Sequence, residues 1–187
     1  MSFIHHLSKQ EAPLLSKSFY GNGSASPLTK TLAHVPTLLQ QTMPFISRAL
    51  GASAIDFRTK EIVILRTSVI QSCVFCVNTH TSVALRASLS EEEIVHLRET
   101  DAAASYFSSK REQAIIRWTD AMSGHKVIIS PQLQKEIKRH CSDAEIVELS
   151  MLVSATIMLN RYCTALELQP SEECIALLKS KGLVYTC

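Results

Sequence analysis

Four side chains between positions 61 and 80 of this sequence are of types that do chemistry together. Cys73, Cys76 and His80 stand in a C-x-x-C-x-x-x-H spacing, and Glu61 lies twelve residues ahead of Cys73. On a helix, Cys73 and Cys76 share one face, and Cys76 and His80, four apart, share it too. Cys73 falls near the expected helix start, where unpaired backbone N–H groups and the helix dipole stabilise an anion. Thiolate is the nucleophilic form of cysteine, and such surroundings lower the thiol pKa from its free value of about 8.5. An imidazole one turn beyond Cys76 can take the proton of that thiol. A cysteine that reacts first then needs a second within disulfide reach, which three residues of helix provide. Where two helices pack suitably, Glu61 can meet the His80 ring, fix its tautomer and raise its basicity. Two other readings use the same residues. Cys73 and Cys76 can be two buried structural thiols. Alternatively, Cys73, Cys76 and His80 can be three zinc ligands, with His96 or Cys141 as the fourth, although neither has the paired spacing of such sites.

The elements that must hold these residues read as helices. Pro36 suits the first turn of a helix to about Leu50, with Leu39, Met43, Ile46 and Leu50 at helical spacing and Gly51 placed to end it. Pro44 is expected to kink or split it. Asp56 can cap the helix that carries Glu61, Leu65 and Val69, and Cys73 to Ala87 reads as the next. Capping-box patterns at Ser90–Glu93 and Ser142–Glu145 start two more, the second running to about Leu168. Between them lie Glu112 to Met122 and a helix opened by Ser130-Pro131. Ser171 can cap a short last helix that stops at Gly182. The helix from Asp143 is apolar on most faces between Leu149 and Leu159, which predicts a central core position or burial at a subunit contact. A strand survives only for pieces such as Lys126 to Ile129. The fold class expected is all-α. A single-domain helical bundle spans residues 31–187 with the chemistry at 61–80, and an irregular N-terminal segment, residues 1–30, packs on it.

Composition narrows the function. The 187 residues suffice for one full hydrophobic core. A 46% hydrophobic share against 19% charged excludes intrinsic disorder. A net charge of +2 argues against a nucleic-acid binder, and five Gly with six Pro argue against a turn-rich all-β fold. The apolar excess predicts that part of the surface is covered by another subunit. The opening MSFIHHLSKQEAPLL lacks the basic start and apolar run of a signal peptide. The longest apolar stretches are interrupted short of the roughly 18–20 residues of a membrane span. A cytoplasmic protein with no membrane partner is therefore expected. Stable disulfides are rare there, so the six cysteines suit buried thiols, metal ligands or a redox pair. Cys141, Cys163, Cys174 and Cys187 are expected only to pack or to sit at the surface. Arg161, in an apolar helix, is expected to pair with a carboxylate or to lie at a subunit contact.

The series Glu61, Cys73, Cys76, His80 resembles the signature of the alkylhydroperoxidase D-like proteins of the carboxymuconolactone decarboxylase superfamily. The resemblance is densest from Arg58 to Leu97 and weaker over Ser142 to Leu168, where Asn160-Arg161 is typical of the family. It implies an all-helical fold assembled as trimers or hexamers. It implies reduction of hydroperoxides, in antioxidant defence, or disulfide exchange, with no haem, flavin, metal or other cofactor in the site. On this resemblance Cys76 attacks the peroxide, His80 activates it, Glu61 belongs to the proton relay and Cys73 is the resolving cysteine. A dithiol donor, a lipoyl or thioredoxin-like protein, restores the pair. Phe75 stands where the founding hydroperoxidase has a second histidine. The decarboxylase branch lacks the cysteine pair, which argues against lactone decarboxylation. The readings from other classes are a non-enzymatic redox-sensing helical oligomer and a zinc-stapled helical module.

Overall fold

The structure, a computed structural model, describes residues 2–22, 25–99 and 103–186. Among these, ten α-helices follow a 3-10 turn at Leu14–Tyr20. They are α1 (Pro27–Leu32), α2 (Pro36–Leu50), α3 (Phe57–Ile70), α4 (Val74–Arg86), α5 (Glu91–Arg98), α6 (Ala103–Tyr106), α7 (Lys110–Ser123), α8 (Pro131–His140), α9 (Asp143–Ala165) and α10 (Glu172–Ser180). No strand occurs among the described residues, and Val127 and Ile128, in the stretch that alone read as a strand, are exposed.

The helix starts follow their caps. The Asp56 side chain accepts from the Thr59 N–H at 2.9 Å. Both capping boxes, Ser90–Glu93 and Ser142–Glu145, are complete in each direction. Ser130 and Ser171 cap α8 and α10. Helix α7 begins two residues before the expected Glu112, because the Ser109 side chain takes the Glu112 N–H. Helix α1, absent from the sequence reading, starts at Ser26-Pro27 by the same device as Ser130-Pro131. Helix α2 runs unbroken across Pro44. The N-terminal segment is more regular than its composition suggests: its 3-10 turn brings Tyr20 onto Ala12, Leu32, Ala33 and Leu39 in a small buried cluster.

The centre of the molecule is α3. Every residue from Thr59 to Val69 is buried, and the helix packs on α4, α5, α7 and α9. One side of it joins Ile62, Leu65 and Val69 to Val77, Leu97 and Ile116. The other joins Val63 and Ile64 to Ile115, Ile137, Leu149 and Leu152. Each such side chain removed from water contributes about 1.5–3 kcal/mol.

Helix α9, read from sequence as a candidate for that central place, is buried on one face only. Val147, Met151 and Met158 are about half exposed or more. Arg161 is also exposed, and no carboxylate partner stands near it among the described residues. By length and composition α9 is long and apolar enough to cross a membrane, since its Ser and Thr interruptions lower hydropathy too little.

Several helices end in a turn whose penultimate residue is left-handed, and three such residues are not glycine: Ser72, Ser88 and Glu167. At Ser88 (φ 65°) the turn is closed by the Leu89 N–H donating to the Ala84 carbonyl at 3.1 Å. A left-handed L-residue costs about 1–2 kcal/mol, and glycine's looser unfolded chain returns about half of that. Ser88→Gly is therefore expected to stabilise the protein by about 0.5–1 kcal/mol and raise Tm by about 2–3 °C. A lower Tm by calorimetry contradicts this account.

Candidate active site

The site is built at the junction of α3 and α4. Helix α3 closes with the Ser72 N–H donating to the Val69 carbonyl at 2.9 Å and the Cys73 N–H to the Ser68 carbonyl at 3.0 Å. Ser72 takes the left-handed conformation (φ 52°) that this double closure requires. The chain leaves the turn extended at Cys73, which becomes the N-cap of α4, its sulfur accepting from the Cys76 N–H at 3.4 Å. The expectation that Cys73 sits at a helix start is met by this cap. The Cys73 and Cys76 sulfurs stand 2.8 Å apart, both buried, with relative exposures of 0% and 6%.

One turn beyond Cys76, His80 Nδ1 lies 2.9 Å from Glu61 Oε2. The Glu61 side chain is almost wholly buried, and that of His80 is one-fifth exposed. A carboxylate only accepts, so the hydrogen sits on Nδ1 and the neutral ring keeps Nε2 as its free base. Helix α3 thus presents Glu61 and helix α4 presents His80, and the pair links the two helices beside the sulfurs.

The two thiols are electrostatically unequal. The hydrogen bond from the Cys76 thiol, followed by those from the Thr164 hydroxyl and the Cys76 N–H, holds the Cys73 thiol down to about 7 against the opposing effect of burial. Cys76 is pushed the other way, by hydrogen bonding to Cys163 and Cys73 and by burial. The pair therefore carries its first negative charge on Cys73, with the remaining proton held on Cys76.

Two residues of the site were not foreseen. Cys163, expected only to pack, lies on the last turn of α9 in one buried cluster with Cys73, Cys76 and Leu168. Thr164, next to it, lines one hollow with Cys73 and helps hold the Cys73 thiol down. Neither bears any spacing signal, because their distance from the pair is set by how α9 packs on α4. Phe75 packs against the same sulfur cluster and lines two hollows. The smaller, about 240 Å³, contains Cys73, Cys163, Thr164 and Glu167 in its wall. The larger, about 820 Å³, runs along α4 past Thr79 and Arg86 and reaches neither sulfur of the pair. The residues considered as a fourth zinc ligand lie elsewhere. His96 bonds to Glu99 and stacks on Tyr106, and Cys141 is in the core between α8 and α9. Cys174 is half-buried, 3.5 Å from the Asn78 carbonyl, and Cys187 lies outside the described residues.

Residues 36–121, which include all of α2, α3 and α4 and hence the four site residues, match the model of the carboxymuconolactone decarboxylase family. The likeness of fold extends over most of the chain. An alkylhydroperoxidase AhpD core structure, an uncharacterized peroxidase-related protein from Ralstonia eutropha JMP134, superposes with a TM-score of 0.78 at 14% identity. The match covers 92% of this chain and 94% of that one. This chain has the alkylhydroperoxidase D-like fold, and its residues 36–121 are similar to the carboxymuconolactone decarboxylase family. The debrominase Bmp8 shares that fold, with a TM-score of 0.76 at 19% identity over 92% of this chain and 94% of its own. Among curated proteins, the uncharacterized protein YdfG of Bacillus subtilis (strain 168) is 25% identical over 119 residues, 61% of this chain and 77% of the relative.

The lowered Cys73 thiol gives a direct test of the site's electrostatics. Because its pKa is depressed, the thiolate is present above pH 7 and lost as pH falls through about 7. Ultraviolet thiolate absorbance is expected to titrate with a midpoint near 7, and Cys73→Ser is expected to abolish that step. A wild-type midpoint at or above the free-thiol value of about 8.5 contradicts it.

Proposed function

We propose that this protein is a thiol-dependent oxidoreductase that reduces hydroperoxides through the Cys73–Cys76 pair, in the manner of an antioxidant peroxidase. The observation that carries the reading is the pairing of two sulfurs 2.8 Å apart with a buried glutamate–histidine couple on the same helix junction. Neither half alone suffices: a sulfur pair without a base is a disulfide, and a glutamate–histidine couple without a nucleophile is a structural bond.

The chemistry follows from the inequality of the thiols. Cys76 is held protonated at rest, so its attack needs a base, and His80 Nε2 is the one that the Glu61 bond leaves free. His80 takes the Cys76 proton as the sulfur attacks the distal peroxide oxygen. The O–O bond breaks, the leaving alkoxide takes the proton back from His80, and Cys76 is left as a sulfenic acid. Cys73, already the more acidic thiol, then attacks the Cys76 sulfur as a thiolate. Hydroxide leaves, is protonated to water, and the disulfide closes. A dithiol donor, lipoyl or thioredoxin-like, returns two electrons and restores both thiols.

The test is hydroperoxide consumption with excess dithiol. Wild type is expected to turn over many times, Cys76→Ser to lose turnover, Cys73→Ser to be slowed, and His80→Ala to fall by about 100-fold or more. Equal rates in all four proteins overturn the reading. The burial of both sulfurs favours one competitor, a redox sensor that oxidises once and changes its assembly. Consumption that stops at one equivalent of peroxide per chain, with dithiol still in excess, assigns that role instead.

The assembly is part of the same proposal. Phe45 of α2 and Val147 and Met151 of α9 line one shallow apolar hollow, and Met158 continues the exposed stripe along α9. A second copy of the chain covers this face in a homo-oligomer, a trimer or hexamer. Sedimentation is expected to give a multiple of the 20.7 kDa chain mass, and Met151→Lys to shift it toward the monomer. A wild-type monomer at micromolar concentration contradicts the covered face.

A further inference from the structure

The proposed peroxidase chemistry uses two sulfurs, yet the structure gathers three. Cys163, at 2% exposure, shares one buried cluster with Cys73 and Cys76 and forms a wall of the hollow that Cys73 lines. Packed in that cluster, it is the first cause that pushes the Cys76 thiol up. The middle sulfur of the three therefore has two thiol neighbours, Cys73 ahead of it on the α3–α4 turn and Cys163 across from it on α9. Cys163 also stands where helix geometry is ending. Its carbonyl accepts from the Leu168 N–H at 3.0 Å in a turn whose left-handed residue is Glu167 (φ 53°).

We infer that Cys163 is a second resolving thiol for Cys76, so that oxidised Cys76 can close a disulfide either within the turn, to Cys73, or across to α9, to Cys163. This rests on the reading that Cys76 is the sulfur oxidised by peroxide. Two balanced steps lead to the same product. In the first, the Cys163 thiol attacks the Cys76 sulfenic acid, the S–O bond breaks, and water leaves carrying the Cys163 proton. In the second, the Cys163 sulfur attacks Cys76 within the Cys73–Cys76 disulfide. The Cys73–Cys76 bond breaks as Cys76–Cys163 forms, and Cys73 departs as a thiol with the Cys163 proton. No external oxidant is needed beyond the hydroperoxide that supplied the first oxidation. Cys73 is suited to leave, because the bonds that the Cys76 N–H and Thr164 make to its sulfur stabilise it as an anion. The cross-link ties α4 to α9 and frees Cys73 in the hollow, where an incoming dithiol or disulfide can meet it.

The experiment isolates the second partner by removing the first. Cys73→Ser protein is treated with one equivalent of hydroperoxide, with and without dimedone, then quenched in acid, alkylated and digested for mass mapping. The Cys73→Ser/Cys163→Ser protein is treated in parallel. The expected result is a Cys76–Cys163 disulfide in the single variant and a dimedone adduct on Cys76 in the double variant. If the single variant instead carries the adduct with Cys163 still a free thiol, or links Cys76 to any other cysteine, the inference falls while peroxide attack by Cys76 stands. If Cys76 stays reduced in both variants, the peroxide reading itself falls and takes the inference with it. Circular dichroism checks that each variant keeps its helices, and Cys73→Ala replaces Cys73→Ser if that variant does not fold.

Discussion

The burial of α3 is the constraint on which the rest of the molecule depends. A helix surrounded on all sides loses water from every polar group along it, and each must then be answered by a neighbour or cost about 1–3 kcal/mol or more. Helix α3 carries six such groups in a row of eleven buried residues whose sequence is far from uniformly apolar, the first of them, Thr59, bonded to the cap Asp56. The other five are answered from the elements packed around it. Lys60 donates to the Ala49 carbonyl at 2.8 Å and pairs with Glu148 of α9 at 2.6 Å. Glu61 meets His80 of α4, and Arg66 meets Asp120 of α7 at 2.5 Å and the carbonyl of Leu97 at the end of α5. Thr67 and Ser68 bond to Ser123 and Asn160. These bonds leave little freedom in how α4, α5, α7 and α9 sit around α3. The glutamate–histidine couple of the site is one member of that set, so its geometry is held by the same packing that holds the fold.

The site also illustrates how a low-dielectric setting separates two chemically identical groups. Cys73 and Cys76 are three residues apart and both buried, but Cys73 sits outside the helix as its cap and collects donors. Cys76 sits inside the first turn, in a cluster of thiols and apolar side chains. Two adjacent thiolates would repel strongly here, so the pair holds one negative charge, and the donors decide where it rests. That ordering assigns distinct tasks. The sulfur that is already acidic needs no base to close or to leave a disulfide. The sulfur that is held protonated needs the imidazole, which is why the glutamate–histidine couple between α3 and α4 matters.

Much of this was legible in the sequence, and what was not has physical reasons. The caps were legible because they are local: Asp56, Ser90, Ser130, Ser142 and Ser171 each need only the N–H three residues ahead. Helix α1 carries the same Ser-Pro start and was passed over because the glycine and serine before it read as loop. Pro44 was expected to interrupt α2, yet loss of one N–H did not end the helix. That α3 and not α9 takes the central place has a single reason. Apolar periodicity measures how well a helix tolerates burial, whereas α3 is buried through partnered polar groups that a hydropathy reading counts against it. The four spaced residues were found because their spacing is a property of one helix and the turn before it. Cys163 and Thr164 lie far along the chain and reach the site only through tertiary packing.

Helix α9 therefore joins features that look unrelated along its sequence. Its first half exposes Val147 and Met151 above the Lys60–Glu148 pair, and its last turn supplies Cys163 and Thr164 to the sulfurs. Because α3 contacts both stretches through buried bonds, Lys60 to Glu148 at one end and Ser68 to Asn160 at the other, α9 cannot shift at one end independently. Lys60 and Glu61 are adjacent on α3 and point to different neighbours, one to α9 and one to α4. The apolar face and the sulfur cluster are thus tied to the same buried helix by bonds that cost several kcal/mol to break. A helix that is half core and half surface is what this arrangement requires: its buried face fixes the thiol that meets Cys76, and its exposed face remains available to another copy.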